Sequence, residues 1–192
     1  MARRMAATER TRRAIRAALI RLLGSRPYSS ITLTEIASAA DVSARTLHRH
    51  YASKDELLVD ACLIEPEEAI TNVTEKASAL SAEQALAALV RSQFEFYDRH
   101  RVEYRAVHTR AVDAPSVQQA LRRAEETRLS RITDLVGRQP NAWQADADPA
   151  TRVLAGMTCY QSWRAFTEMA GLSNEEAATV AGDMLCAYLL RR

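Results

Sequence analysis

The sequence is short of the residues that turns consume. It holds five glycines and five prolines among 192 residues. Strands joined by tight turns need both, together with Asn-Gly or Asp-Gly pairs. That shortage excludes a mainly β protein. It also excludes a doubly wound α/β protein, because neither a GxGxxG nor a P-loop is present. The three cysteines, Cys62, Cys159 and Cys186, are odd in number, widely spaced and without a CxxC pair. They make neither a disulfide framework nor a zinc site, and reduced, buried thiols in a cytoplasmic protein are the expectation. No glutamate has a histidine three residues on, as a di-iron bundle requires, and no His-Glu-x-x-His is present. No metal, no cofactor and no catalytic site is therefore expected. No stretch approaches the ~18 uninterrupted apolar residues of a membrane span. The opening segment is basic, but Arg16 and Arg21 cut its apolar run and no small-residue cleavage site follows, so no signal peptide is expected.

Alanine, leucine, arginine and glutamate are abundant instead, and all four favour helices. The charge is unevenly spread. Residues 1–60 carry 11 Lys and Arg against six Asp and Glu, and residues 61–192 carry 15 against 18. A basic N-terminal third on an acidic body points to an anionic partner for that third, with a solvated arginine-rich face as the alternative.

Apolar spacing and capping residues divide the chain into nine or ten helices and no strand. Ile15, Ala18, Leu19, Leu22 and Leu23 form one helical stripe, ended by Gly24 and Pro27. Capping boxes open helices at Thr32/Glu35, Ser53/Glu56, Ser81/Gln84 and Ser173/Glu176. Pro66 predicts a break or kink. A short helix is expected over 101–112 and a long one from Ala114-Pro115. Residues 137–148 are the most polar, loop-like stretch. A helix from Asp148-Pro149 is expected to run to Gly171, and a last one to the C-terminus.

The spacing of two short helices, Thr32–Ala40 and Ser43–His50, is that of a helix-turn-helix. In such a unit the first helix crosses the phosphate backbone and the second enters the major groove. Leu33, Ile36, Ala37, Val42, Leu47 and Tyr51 supply its buried face. Ala44, Arg45, Thr46, His48 and Arg49 remain for base edges and phosphates.

The segment ITLTEIASAADVSARTLHRHYASKDELL resembles the DNA-binding signature of the TetR family of bacterial regulators, with the capping box, EIA, AxVS, TLxRHY and SKDELL in order. The likeness runs from about Thr8 to Leu58. It implies phosphate contacts from Thr32 and Thr34, base or phosphate contacts from Ser43, Ala44, Arg45 and Thr46, and phosphate contacts from His48 and Lys54. Three positions depart from the family pattern: Asp41 stands at the usual turn glycine, His48 at a tyrosine, and Arg45 at a position that is often small. Arg45 suggests a contact to guanine. His50 and Tyr51 are expected to pack.

The resemblance also implies an all-α architecture of two domains. Residues 1–52 would form a three-helix DNA-binding domain and residues 53–192 a helical domain for effector binding and dimerisation. Phe94, Tyr97, Tyr104 and His108, with Met157, Tyr160, Gln161, Trp163 and Arg164, are candidates for an effector pocket, the alternative being core packing. Gly156 and Cys159, with Val180, Ala181, Met184, Leu185 and Tyr188, are candidates for a four-helix dimer interface, the alternative being an intramolecular core. The expectation is a cytoplasmic, homodimeric repressor that binds a double-stranded, pseudo-palindromic operator and is released by a small molecule. An activator or an effector-independent DNA-binding protein is the alternative, and a helical enzyme comes last.

Overall fold

The computed structural model describes residues 2–63, 80–138, 141–144 and 146–190. The kink expected at Pro66 lies outside them. Ten helices are described, with no strand among the described residues: α1 (Ala2–Leu23), α2 (Leu33–Ala39), α3 (Ala44–His50), α4 (Lys54–Cys62), α5 (Ala82–Arg99), α6 (Arg101–Ala111), α7 (Pro115–Gly137), α8 (Ala147–Met157), α9 (Tyr160–Arg164) and α10 (Asn174–Leu189). The chain divides into two compact units, Met1–Ile64 with His100–Arg123, and Glu65–Arg99 with Ala124–Arg192.

In the first unit the stripe of α1 does what its spacing predicts: Ile15, Ala18 and Leu19 are fully buried. They pack in one core with Ile36, Leu47, Tyr51, Leu57, Leu58 and Val107. Each large aliphatic side chain so buried contributes roughly 1.5–3 kcal/mol. The helix stops at Gly24, whose amide donates to the Ile20 carbonyl, and the Ser25 hydroxyl donates to Leu22. Pro27 then leads into a 3-10 turn, Tyr28–Ser30.

The second unit is built on α5 and α10, which pack along each other. Its centre is aromatic. The Tyr97 and Tyr160 rings meet edge to face at 5.7 Å, and Tyr160 stacks on Trp163 at 5.5 Å. The Trp163 indole N–H donates to Asn174 at 2.9 Å. The polar stretch after α7 is tied down by Trp143, which is buried, donates to the Val136 carbonyl and forms an antiparallel bridge with Leu190.

The structure corrects the single helix expected up to Gly171. That segment breaks at Thr158–Cys159 into α8, α9 and a π-helical turn, Ala165–Met169, before Gly171 stops it at φ +74°. Cys159 is extended, with ψ 166°. Leu154 keeps its helical bond from the Thr158 amide and also accepts from Thr158 Oγ1 at 2.7 Å. The Ala155 and Gly156 carbonyls, freed by the break, accept from Arg128 at 2.8 Å and from Ser162 Oγ at 2.7 Å. Backbone groups at a helix end need such partners when buried. The cysteines are corrected too: Cys62 is buried, but Cys159 and Cys186 are half-exposed.

Candidate nucleic-acid interface

The helix-turn-helix is set by local chemistry. Thr32 caps α2, accepting from the Glu35 amide at 3.2 Å while the Glu35 carboxylate accepts from the Thr32 amide at 2.7 Å. With Arg26 donating to it as well, Glu35 is held well below the usual carboxylate range, at about 2. The turn is a Schellman closure: the Val42 amide donates to Ala37 and the Asp41 amide to Ser38. Asp41 occupies its left-handed position, at φ +54°, where glycine is usual. Ser43 then caps α3, accepting from the Thr46 amide at 3.1 Å.

An L-residue in left-handed geometry costs about 1–2 kcal/mol, least for Asp and Asn, whereas glycine there loses about 0.4–1 kcal/mol through its freer unfolded chain. Asp41→Gly is therefore expected to raise stability by about 0.5 kcal/mol and Asp41→Val to lower it by about 1–2 kcal/mol. Denaturant midpoints of the two variants check this, and an unchanged midpoint for Asp41→Val would show that the turn carries no such strain.

Behind α3, one carboxylate fixes that helix to its support. Asp60 of α4 accepts from the Tyr51 hydroxyl and pairs with Arg12 and Arg16 of α1, each at 3.1 Å. The Arg12 guanidinium also lies over the Tyr51 ring, 5.3 Å from its centre. Burial pushes the Asp60 carboxyl up, and these three donors more than reverse it, leaving it below its ordinary value. Sequence spacing carries no signal for this hub, because its members lie up to 48 residues apart on three segments.

The structure places Thr32, Thr34, Ser43, Ala44, Arg45, His48 and Arg49 at the surface. Thr46 is half-buried, its hydroxyl 2.9 Å from that of Ser43. His50 is half-buried and Tyr51 buried, in keeping with packing roles. Lys54 has a further task. Its ammonium donates to the carbonyls of Tyr28 and Ile31 at 2.9 and 2.8 Å and sits 4.1 Å from the centre of the Tyr28 ring. It thus staples the 3-10 turn that leads into α2.

The arginines differ in what holds them, and Arg10 and Arg13 of α1 are exposed with no hydrogen bond or ion pair among the described residues. On α1 and the following turn, Arg12 and Arg16 pair with carboxylates, Arg21 donates to the Ala39 carbonyl at 2.7 Å and Arg26 to Glu35 at 2.8 Å. Arg45 and Arg49 on α3 are exposed and hold no hydrogen bond or ion pair among the described residues. The helix that carries them, ARTLHRH, has no acidic residue.

The remaining candidates lie in different surroundings. Phe94, Tyr97, Tyr160 and Trp163 are buried and, apart from Phe94, packed ring against ring in the second unit; Phe94 faces Phe166 at 6.2 Å. Met157 is half-buried there, while Gln161 and Arg164 are exposed, Arg164 pairing with Glu168 at 2.9 Å. Tyr104 and His108 are on α6 in the first unit, their rings 6.1 Å apart. The helical spacing from Phe94 to His108 is interrupted at His100, where α5 ends and α6 begins.

One side chain had gone unnoticed in the sequence. Gln93 of α5 is fully buried, and neither its amide nitrogen nor its oxygen has a hydrogen-bond partner among the described residues. A glutamine at the register of Leu89 and Tyr97, on an otherwise apolar face, was its legible signal. Among the dimer candidates, Ala181 and Leu185 are buried within the chain, while Gly156, Val180, Met184 and Tyr188 are exposed and Cys159 is half-exposed.

The first unit thus carries a helix-turn-helix, with Leu33–Ala39 and Ala44–His50 joined by a tight turn. Residues 15–61 match the family described as bacterial regulatory proteins, tetR family. The whole chain has the fold of solved regulators. A protein of Mesorhizobium loti MAFF303099 assigned to the TetR-family transcriptional regulators superposes with a TM-score of 0.78 at 22% identity, over 96% of this chain and 98% of that one. An assigned transcriptional regulator of Saccharomonospora viridis, in complex with choline, gives 0.74 at 20% identity over 94% and 98%. NalD, the secondary repressor of the MexAB-OprM multidrug efflux pump in Pseudomonas aeruginosa, gives 0.73 at 17% identity over 96% and 98%. Among curated proteins none matches the sequence. No helix among the described residues is long and apolar enough to cross a membrane.

Proposed function

We propose that this chain is a ligand-responsive repressor that binds a pseudo-palindromic operator as a homodimer and is released by a small molecule. The observation that carries the reading is the basic, unpartnered surface of α3. Arg12, Arg16 and Arg21 of α1 are engaged within the protein, whereas Arg45 and Arg49 are exposed on a helix that lacks acidic residues and, like Arg10 and Arg13 of α1, hold no hydrogen bond or ion pair among the described residues. Ala44, Arg45 and Thr46, in the first turn of α3, are assigned to base edges, and Thr32, Thr34, Ser43, His48, Arg49 and Lys54 to phosphates. Lys54 has one ammonium hydrogen left beyond its two carbonyls for that contact.

Residues 1–52 serve DNA in this reading and residues 53–192 the effector and the dimer. Val180, Met184 and Tyr188 are 40%, 52% and 64% exposed and lie four residues apart on α10. They make one apolar stripe on the outer side of a helix whose inner side is already core, which supports a two-fold helical interface. The buried Gln93 amide, close in sequence to Phe94 and Tyr97, supports an effector with hydrogen-bonding groups, because an unmet buried amide is costly. The regulator crystallised with choline lends the effector reading support by its fold. Release follows from linkage: an effector that prefers one setting of the two DNA-binding parts lowers DNA affinity by its differential affinity for the two settings. Helix α4 is the lever. A cytoplasmic location goes with this function.

The test is a mobility shift and footprint on the DNA upstream of the chain's own gene, at fixed salt and against random competitor. A protected pseudo-palindrome, bound by one dimer with half-sites about one DNA turn apart, ~34–36 Å, or a little more, is the expected result. Binding that random DNA competes away equally well would overturn the reading.

A further inference from the structure

The first unit contains a cleft that the reading above does not use. It lies between the turn after α1 and the outer face of α6 and has a volume of about 370 Å³, at the lower end of the usual range for small-molecule sites. Its apolar lining is Leu23, Val102 and Ala106, and it is also lined by three guanidinium groups, Arg26, Arg105 and Arg110, and by the carboxylate of Asp113.

Arg110 is already bound to Asp55 through Nε and Nη2, both at 2.9 Å. That uses two of its five N–H donors, so the same guanidinium can bridge a second carboxylate. Asp55 also accepts from the Tyr28 hydroxyl at 2.7 Å, and the Tyr28 ring and carbonyl are gripped by Lys54. Lys54 in turn holds Ile31, the neighbour of the α2 cap Thr32. The cleft wall is therefore continuous with the start of the helix-turn-helix. Anything that shares Arg110 acts on the pair that fixes this turn.

We propose that this cleft binds a small apolar carboxylate, whose body lies on Leu23, Val102 and Ala106 and whose carboxylate is taken by Arg105 and Arg110. The apolar lining selects the body. The guanidinium fork selects a planar carboxylate over a cation, through charge-assisted bonds that are stronger than neutral ones. This is a second regulatory site, inside the DNA-binding unit, and it stands whether or not the chain is a repressor.

Calorimetry of the full chain at fixed ionic strength tests it, with octanoate as the probe and octylamine as a probe with the same apolar body and the opposite charge. Saturable octanoate binding and no octylamine binding are expected. Arg105→Glu reverses a charge of the lining, and Val102→Trp fills the cleft. Both positions are on the outer face of α6, and circular dichroism confirms that the variants are folded. Each is expected to weaken octanoate binding by about tenfold or more. Absence of saturable binding by the native chain, or native-strength binding in both variants, would overturn the proposal; the second result would place the carboxylate elsewhere. A mobility shift run on the same preparations separates this failure from failure of the DNA-binding reading.

Discussion

Arg45→Ala is expected to weaken operator binding about ten- to a hundredfold and to leave random-DNA binding much less affected. Arg45 is the second residue of α3, and N-terminal residues of a recognition helix are the ones that reach base edges. A bidentate arginine on guanine is worth about 1–3 kcal/mol of discrimination, which sets the fold-change. Among the described residues nothing competes for the group: it is exposed, and no carboxylate lies on its helix. Alanine is the better helix former and follows Ala44, so α3 is retained. Arg49→Ala is the contrast. As a phosphate contact it should weaken operator and random DNA alike and flatten the salt dependence by about one charge. Titrations of both variants on operator and random duplexes at several salt concentrations measure these effects. If Arg45→Ala keeps the full ratio of operator to random affinity, Arg45 does not read a base.

The helix-turn-helix was legible because its signals are local. The Thr32/Glu35 and Ser173/Glu176 boxes are complete in the structure, and Ser81/Gln84 closes both of its bonds. At Ser53 the Glu56 carboxylate reaches the Ala52 amide instead of the cap, a slip of one residue that leaves the helix start unchanged. The departure at Asp41 pointed to its own backbone geometry. Where the reading fell short, the deciding partner was distant in sequence. Lys54 sits at a helix start, where a phosphate contact is the natural inference, and spacing gave no sign that its ammonium also holds carbonyls 23 and 26 residues away. The short helix expected over 101–112 is α6, Arg101–Ala111, although the junction at His100 contains neither glycine nor proline. Ala181 and Leu185 share a helix with Val180 and Met184, and a stripe that is apolar on two sides does not tell which side faces α5.

The break at Thr158–Cys159 has the same origin, and it yields the largest expected loss of stability. Arg128 of α7 is only 5% exposed. It donates to Glu125 at 2.9 Å, to the Thr158 hydroxyl at 3.1 Å and to the Ala155 carbonyl at 2.8 Å. It thus places a positive charge against the C-terminal end of α8, where the helix dipole favours one. It also satisfies a carbonyl that a continuous helix would have bonded itself. The break aims Tyr160 and Trp163 at Tyr97, so the aromatic centre depends on it. Arg128→Ala removes the donors and leaves a cavity along the buried stem. Loss of a buried, bonded charge costs about 3–5 kcal/mol when its partner is left unmet. Here Glu125 is partly exposed and can be hydrated, so about 2–4 kcal/mol is expected, or roughly 4–16 °C in the midpoint for a chain of this size. Arg128→Met keeps the stem and loses only the donors, so it should fall between alanine and the native chain. Thermal and denaturant unfolding at one fixed protein concentration, followed by near-ultraviolet dichroism of the aromatic centre, measures both variants. If Arg128→Met is within about 0.5 kcal/mol of native, the hydrogen bonds only offset the cost of burying the charge. The break would then be set by packing of Tyr160 and Trp163 and not by Arg128.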